Sequence, residues 1–539
     1  MTSIRTAAIS ILQTITLLVV LGSVSLQAQV NVLTANYSND RTNANLNEPV
    51  LNTTNVNGAQ FGKLFSLTVD GQIYAQPLYA SGIVLPGGGV VNVVYTVTMH
   101  NSVYAFDADA GSLIWQVNLG PSVPSSNYGS AYGVQDIDPE VGILSTPVID
   151  PSAQVIYMVA NTLEDGSYYY RLHALDLGTG MERMNGPALL QASVSGTGTG
   201  SVEGAVPFDP AQHLQRPGLL LSAGTVYVAF ASHGDQDPYH GWIMAFNAAD
   251  LTQQVASFNT TPNGGRGGIW QSGRGLAADT VGNIFAISGN GDFDGSGNFG
   301  ESFLRLTGTS NLSIADWFTP DNWQDLDEGD QDLGTAGPVL VPSTNFILGA
   351  NKGGNLYVLD RTQMGGMQNG NPQAVQVLQA LNGAIFNLAL WRAPSGPILY
   401  VQGKSDGLKA YCMVSGAFAT TPCSSNSSVA ATAKGGMTVS ANSNAPGSAI
   451  LWTTTLAAAS VPPGSGVLHA FDATDLSKEL WNSDLSGGPD ALGSFAKFAN
   501  PTIAAGKVYV PTFSSQLVVY GLTNSSVASS RQAERISSR

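Results

Sequence analysis

The chain has 539 residues, 43% of them hydrophobic and only 11% charged, with 21 Lys plus Arg against 37 Asp plus Glu and a formal net charge of −16. An acidic balance of this size speaks against a nucleic-acid binder, which needs a cationic surface to neutralise phosphates. With 62 glycines and few charged helix formers, a helical bundle or coiled coil is excluded and a large, loop-rich β protein is expected.

At the start, Arg5 is followed by a mostly apolar run from Ala7 to Val20 and then by small residues. A basic head, an apolar stretch and a small-residue exit form the pattern of an export signal, expected over residues 1–28 with cleavage after Ala28. No Cys follows the run, so no lipid anchor is expected, and after cleavage no membrane span remains. The mature protein is therefore expected to be exported, to a periplasm or the extracellular space. Residues 29–60 read as an extended N-terminal segment, 61–522 as the folded unit and 523–539 as a polar tail.

From residue 61 onward one phrase returns. It runs Val103-Tyr-Ala-Phe-Asp107, Leu172-His-Ala-Leu-Asp176, Ile243-Met-Ala-Phe-Asn247, Leu356-Tyr-Val-Leu-Asp360 and Leu468-His-Ala-Phe-Asp472, with weaker copies at Phe303–Leu306, Leu408–Tyr411 and Leu517–Tyr520. The alternation and the aromatic, β-branched content predict strands. Each is preceded by another strand, and Pro77, Pro147, Pro217, Pro338 and Pro501 open the strand before that, where proline removes no ladder donor. The unit is a four-stranded antiparallel sheet, and eight units arranged about an axis make an all-β, eight-bladed propeller. The last unit lacks its outer strand, while Lys63-Leu-Phe-Ser-Leu67 looks like an outer strand with nothing before it. The N-terminal strand is therefore expected to complete the last blade and remove two exposed edges.

The segment Ala105-Phe-Asp-Ala-Asp-Ala-Gly111-Ser-Leu-Ile-Trp115, with further copies at Ala174–Gly180 and Ala470–Trp481, resembles the tryptophan-docking motif of pyrroloquinoline quinone (PQQ)-type propellers. The resemblance spans nearly all of residues 61–522 and implies a quinoprotein alcohol dehydrogenase-like fold. It also implies where chemistry would sit. Trp270, in Gly-Gly-Ile-Trp, matches the quinone-stacking Trp, with Arg266 and His240 nearby as candidate cofactor contacts. Asn290 matches a Ca²⁺-binding Asn, and its neighbours Asp292 and Asp294 begin a calcium-loop-like run that lacks the closing Glu. Departures from the pattern put Gln236 at a Ca²⁺-binding Glu, with Asp235 and Asp237 beside it as metal candidates, and Gln324 at the catalytic Asp, with Asp325 as candidate base. The adjacent-cysteine disulfide that covers the quinone in many members is absent.

Polar residues gather on loops that share one face of such a propeller. His100, His233, Tyr239, His240 and Trp242 belong to this group, as do the loops 135–140, 321–332 and 351–354. No Cys-x-x-Cys-His haem motif and no nucleotide-binding glycine fingerprint occur. Cys412 and Cys423 either pair across a local loop or remain free; spacing alone leaves both open. The residues as read imply an exported propeller whose loop face binds a ligand, glycan or protein with degenerate or absent catalysis. The rival readings are a PQQ- and Ca²⁺-dependent alcohol or sugar dehydrogenase and an envelope-assembly scaffold.

Overall fold

The structure, a computed structural model, describes residues 30–133, 136–308, 311–404, 406–428, 434–457, 464–485 and 488–523. The export signal and residues 524–539 of the tail lie outside the described residues. Eight antiparallel sheets follow one another along the chain, the first built from Leu78–Val84, Val90–Val97, Ser102–Asp107 and Leu113–Asn118 in that spatial order. The eighth contains Thr502–Ala504, Lys507–Pro511 and Gln516–Leu522, and its outer strand is Phe61–Thr68 from the chain's beginning. Phe61 faces Leu522 and Thr68 faces Gln516 in an antiparallel register, so the ring closes as the sequence implies. Among the described residues no helix is long and apolar enough to cross a membrane.

Two repeated devices hold neighbouring blades together. Trp115 ends the docking motif of the first blade, and its indole N–H donates to the Leu177 carbonyl of the second at 2.9 Å. Gly180 lies under this ring with φ +70°; a Cβ there would come within 2.7 Å of the indole. Glycine therefore serves both the left-handed turn and the close approach. The second device was not read from the sequence. A buried tyrosine on the second strand of a blade donates across the seam to the carbonyl just after the motif's Asp or Asn in the next blade. Tyr95 reaches Leu177 at 2.9 Å, Tyr157 reaches Ala248 at 2.8 Å and Tyr400 reaches Ala473 at 2.6 Å. Tyr509 reaches Ala108 at 3.3 Å, carrying the same bond from the eighth blade to the first. At the closing strand, Phe61 packs edge-on against Trp481 with ring centroids 5.0 Å apart.

The N-terminal segment does more than extend. Residues 32–45 run through the ring's interior and offer their carbonyls to the innermost strands in turn. Ile149 N–H donates to Leu33 O, Ala278 to Asn39, Leu340 to Asp40, Leu390 to Thr42 and Val439 to Asn43. Val32 exchanges bonds with Tyr79, and the Asn45 amide donates to Ile503 O at 2.8 Å. All eight blades are thus touched by one strap; the third is reached through the Asn39 amide, which donates to Leu221 O at 2.9 Å. Such curling needs left-handed residues, supplied at Asn36 (φ 58°), Tyr37 (φ 73°), Arg41 (φ 60°) and Asn43 (φ 59°). Arg41 is fully buried and donates to Leu276 O at 2.7 Å, Ala35 O at 2.7 Å, Thr34 Oγ1 at 2.8 Å and Leu219 O at 3.3 Å. Gly275 leaves room for it, since a Cβ there would lie 2.5 Å from the guanidinium carbon.

Cys412 and Cys423 form a disulfide at the outer edge of the sixth blade, closing one of the alternatives left by the sequence.

Candidate functional site in the central cavity

Thr335, Lys434 and Phe498, just before the innermost strands of their blades, and Phe386, at the start of its own, line a central cavity of about 320 Å³. The strap's bonds to Leu340, Leu390 and Val439 lie four or five residues further along the same strands, or about 13–17 Å deeper at strand rise. The cavity therefore opens on the loop face and has the strap beneath it.

One side of the cavity is aromatic and acidic. Trp270 lines it, held from behind by the fully buried Tyr239, whose ring meets it edge-on at 6.4 Å. The indole N–H of Trp270 is buried without a partner among the described residues. The turn 234–235, with positive φ at both residues, swings Asp235 into the cavity, where it accepts from Tyr239 Oη at 3.3 Å. Asp330 and Asp332 enter from the loop after the short helix Trp323–Glu328 and pair with Lys352. Asn290 packs against both aspartates: its backbone N–H donates to Asp332 at 3.0 Å and its amide to Asp330 at 3.1 Å. The Asn290 amide oxygen is left buried with no partner. Burial, with the charge of Asp332 adding and Lys352 opposing, pushes the Asp235 carboxyl up to about 6. Behind them Glu301 is fully buried, and burial followed by the Asp332 charge raises its carboxyl well above the usual range.

The other side is aromatic and basic. Arg216, Lys434 and Lys497 converge on Asp136 from three separate inter-blade loops, with Arg216 Nη1 at 2.8 Å and Lys497 Nζ at 2.7 Å. The Arg216 guanidinium also lies 4.3 Å from the Phe498 ring centre.

Of the residues expected from sequence, Trp270 and Asp235 line the cavity, Asn290 packs behind it, and Tyr239 buttresses Trp270. The others do not line it. Asp325 is exposed on the short helix, as is Gln324, while Asp332 stands where a cavity carboxylate is needed. Asp237 pairs with Arg266 at 2.7 Å on the exposed surface, so Arg266 is not aimed at the cavity. Asp294 spends one oxygen on the N–H groups of Ser296, Gly297 and Asn298 at 2.8–3.0 Å, and Asp292 accepts from Gly265 at 2.8 Å. These are turn-stabilising bonds rather than a calcium loop. His240 has both ring nitrogens engaged, with Thr261 Oγ1 and Thr199 O at 2.9 Å. His233 is buried and stacked 3.5 Å from Tyr128, Trp242 is a core residue bonded to His213, and His100 is exposed beside Glu140.

No family model and no curated protein matches the sequence. Solved structures do match. The quinohaemoprotein alcohol dehydrogenase of Comamonas testosteroni superposes with a TM-score of 0.59 at 14% identity, covering 91% of this chain and 80% of that one. That of Pseudomonas putida gives 0.56 at 14% identity, with the same coverages. The chain has the fold of the quinoprotein alcohol dehydrogenases. At this identity the likeness establishes the propeller and not the reaction.

The cavity's residues can be tested against the group such a fold suggests. The partnerless Asn290 oxygen, the Asp235 carboxylate without a cation of its own and Asp332 are hard oxygen donors of the kind a divalent cation takes. Among the described residues no three His, Cys, Asp or Glu side chains gather as a ready metal cluster. A cation would thus need further oxygens from the ligand or water. The unsatisfied indole and the flat aromatic wall suit a planar ring. The set fits a quinone held together with its cation.

Proposed function

We propose that the central cavity binds a PQQ-type quinone with Ca²⁺ and that the protein is an exported oxidoreductase acting on an alcohol or sugar. The observation that carries this reading is the convergence of Trp270, Asp235 and Asp332, with Asn290 behind them, from separate loops. The motif resemblance in the sequence puts Gln236 and Gln324, neither of which lines the cavity, in the corresponding roles. Trp270 would stack the ring, while Asn290, Asp235 and Asp332 would supply oxygens to the cation. A bound quinone of this class, polarised by its cation, accepts two electrons from the substrate carbon. The chain's own part is proton handling. Asp332, paired with Lys352, is the carboxylate assigned to take the substrate hydroxyl proton, a contribution worth about 10²–10⁴-fold in typical enzymes.

A second reading rests on the ion pairs of Lys352 with both Asp330 and Asp332. If these pairs persist with ligand bound, no free base remains, and the propeller is a non-catalytic binder of a small ligand, glycan or protein. Titrating PQQ against the indole fluorescence, with and without Ca²⁺, tests both. Stoichiometric, Ca²⁺-dependent quenching that is lost in Trp270→Ala supports the quinone site, and dye reduction with an alcohol or sugar then separates enzyme from binder. Absence of quenching by PQQ removes the quinone reading.

A further inference from the structure

The basic side of the cavity has no role in the reading above. One aspartate, Asp136, faces three cations: Arg216 at 2.8 Å, Lys497 at 2.7 Å and Lys434 at 3.6 Å. One carboxylate neutralises one of them, leaving a surplus of two positive charges. Burial alone would raise the Asp136 carboxyl, but Arg216, then Lys497 and Lys434, outweigh it and hold it well below the usual range. The crowding shows on the cations as well: burial, with Lys434 and Arg216 adding, pushes Lys497 down to about 8 against the pull of Asp136. A structural ion pair needs one partner. Here three long side chains brought from three loops are held in mutual repulsion, which is costly unless a further anion shares them.

Their place in the molecule tells what kind of anion. Arg216, Lys434 and Asp136 line the same cavity as Trp270, Phe386 and Phe498. Arg216 and Lys434 also lie over the Phe498 ring, at 4.3 Å and 5.5 Å from its centre, which fixes their heads toward the cavity wall. On the opposite side Lys352 is already saturated by Asp330 and Asp332, so it offers an incoming anion nothing. The only unbalanced positive field among the cavity-lining residues is therefore at the basic side.

We infer that Arg216 and Lys434, with Lys497 adding its charge through Asp136 from outside the cavity lining, form an oxyanion-binding site for the doubly charged end of a small ligand, either a dicarboxylate edge or a phosphate. Asp136 occupies part of this site from within the chain and weakens it. The site uses none of the residues assigned to ring or cation binding, although the Arg216 guanidinium lies 5.9 Å from the Trp270 ring centre and so borders the ring site.

Calorimetric titration with citrate and, separately, with inorganic pyrophosphate tests it on the full chain at low salt. The wild type is expected to bind at least one of them, and which one tells carboxylate from phosphate recognition. Asp136→Asn keeps the shape, removes the competing charge and should tighten binding about tenfold, equivalent to about 1.4 kcal/mol. Lys434→Met, at the most exposed of the three cations, should weaken it about as much and flatten its salt dependence. Trp270→Phe, which keeps a ring beside Arg216, should leave anion binding intact while weakening that of PQQ, so failure of one reading is distinguishable from failure of the other. The inference is overturned if neither anion binds wild type or Asp136→Asn, or if the Asp136 and Lys434 variants bind as the wild type does.

Discussion

Replacing Arg41 by Met keeps an apolar stem of similar length and removes every donor of the buried guanidinium. Three carbonyls, those of Leu276, Ala35 and Leu219, then lose a partner inside the ring. A buried carbonyl left unpaired costs about 1–3 kcal/mol, giving an upper figure near 9 kcal/mol. Two effects reduce it. The desolvation of a buried cation disappears, and so does its repulsion with Arg274, which is itself buried and donates to the Arg41 carbonyl. A net loss of about 2–4 kcal/mol remains. For a fold of this size the unfolding entropy is about 1 kcal/mol per degree, so Tm should fall by about 2–4 °C. Scanning calorimetry measures that shift, and hydrogen exchange should show faster exchange at Ala278 and Leu340, whose N–H groups bond to the strap. Gly275→Ala should reproduce both effects by crowding the guanidinium from outside. A Tm change under 1 °C with unaltered exchange in Arg41→Met would refute the strap as a stabilising element.

Three further outcomes are expected. Asp235→Asn should stabilise the protein at pH 7.5 by about 1–2 kcal/mol, discounted for partial solvent access. Its folded carboxyl is raised to about 6 against an unfolded value of 3.8, so the wild type loses stability as pH rises through 4–6 and the advantage of Asn should vanish below pH 4; equal gains at pH 7.5 and 4 in thermal scans would contradict this. Deleting Phe61–Thr68 leaves Gln516–Leu522 as an unpaired edge of the eighth blade and removes Phe61 from the Trp481 packing, so the whole ring should unfold at markedly lower temperature. Cys412→Ser opens an 11-residue separation and should cost up to about 3 kcal/mol by chain entropy, read from denaturant midpoints under non-reducing conditions.

The fold was legible because five of the eight blades carry the strand phrase in full and five open on a proline, and a repeat can be seen without any knowledge of contacts. The strap was not legible. Its asparagines have no hydrophobic period, and their left-handed turns make sense only against carbonyl and amide partners spread over the whole ring. The cavity was half legible. The right loops were identified, and Trp270 and Asp235 among the residues that turn inward, but not Asp332 or the basic residues opposite. A short helix carries Gln324 and Asp325 outward before the chain delivers Asp332, and a left-handed turn selects Asp235 over Gln236. Such choices are made by backbone dihedrals that one-residue spacing does not encode. The tyrosine bonds across the seams were hidden differently: the residues were in view as strand formers, but their hydroxyl partners belong to the next blade.

The joining of Phe61–Thr68 to Gln516–Leu522 has a consequence for the order of events during synthesis. The first strand made is the last to find its partner, more than 400 residues later. The strap that precedes it waits as well, for each blade in turn. Until the final strand emerges the nascent protein is an open arc with an unpaired edge at each end, and its earliest segment is unsatisfied. A chain built this way stays open while it is still being made. Its complete stability arrives in one closing step.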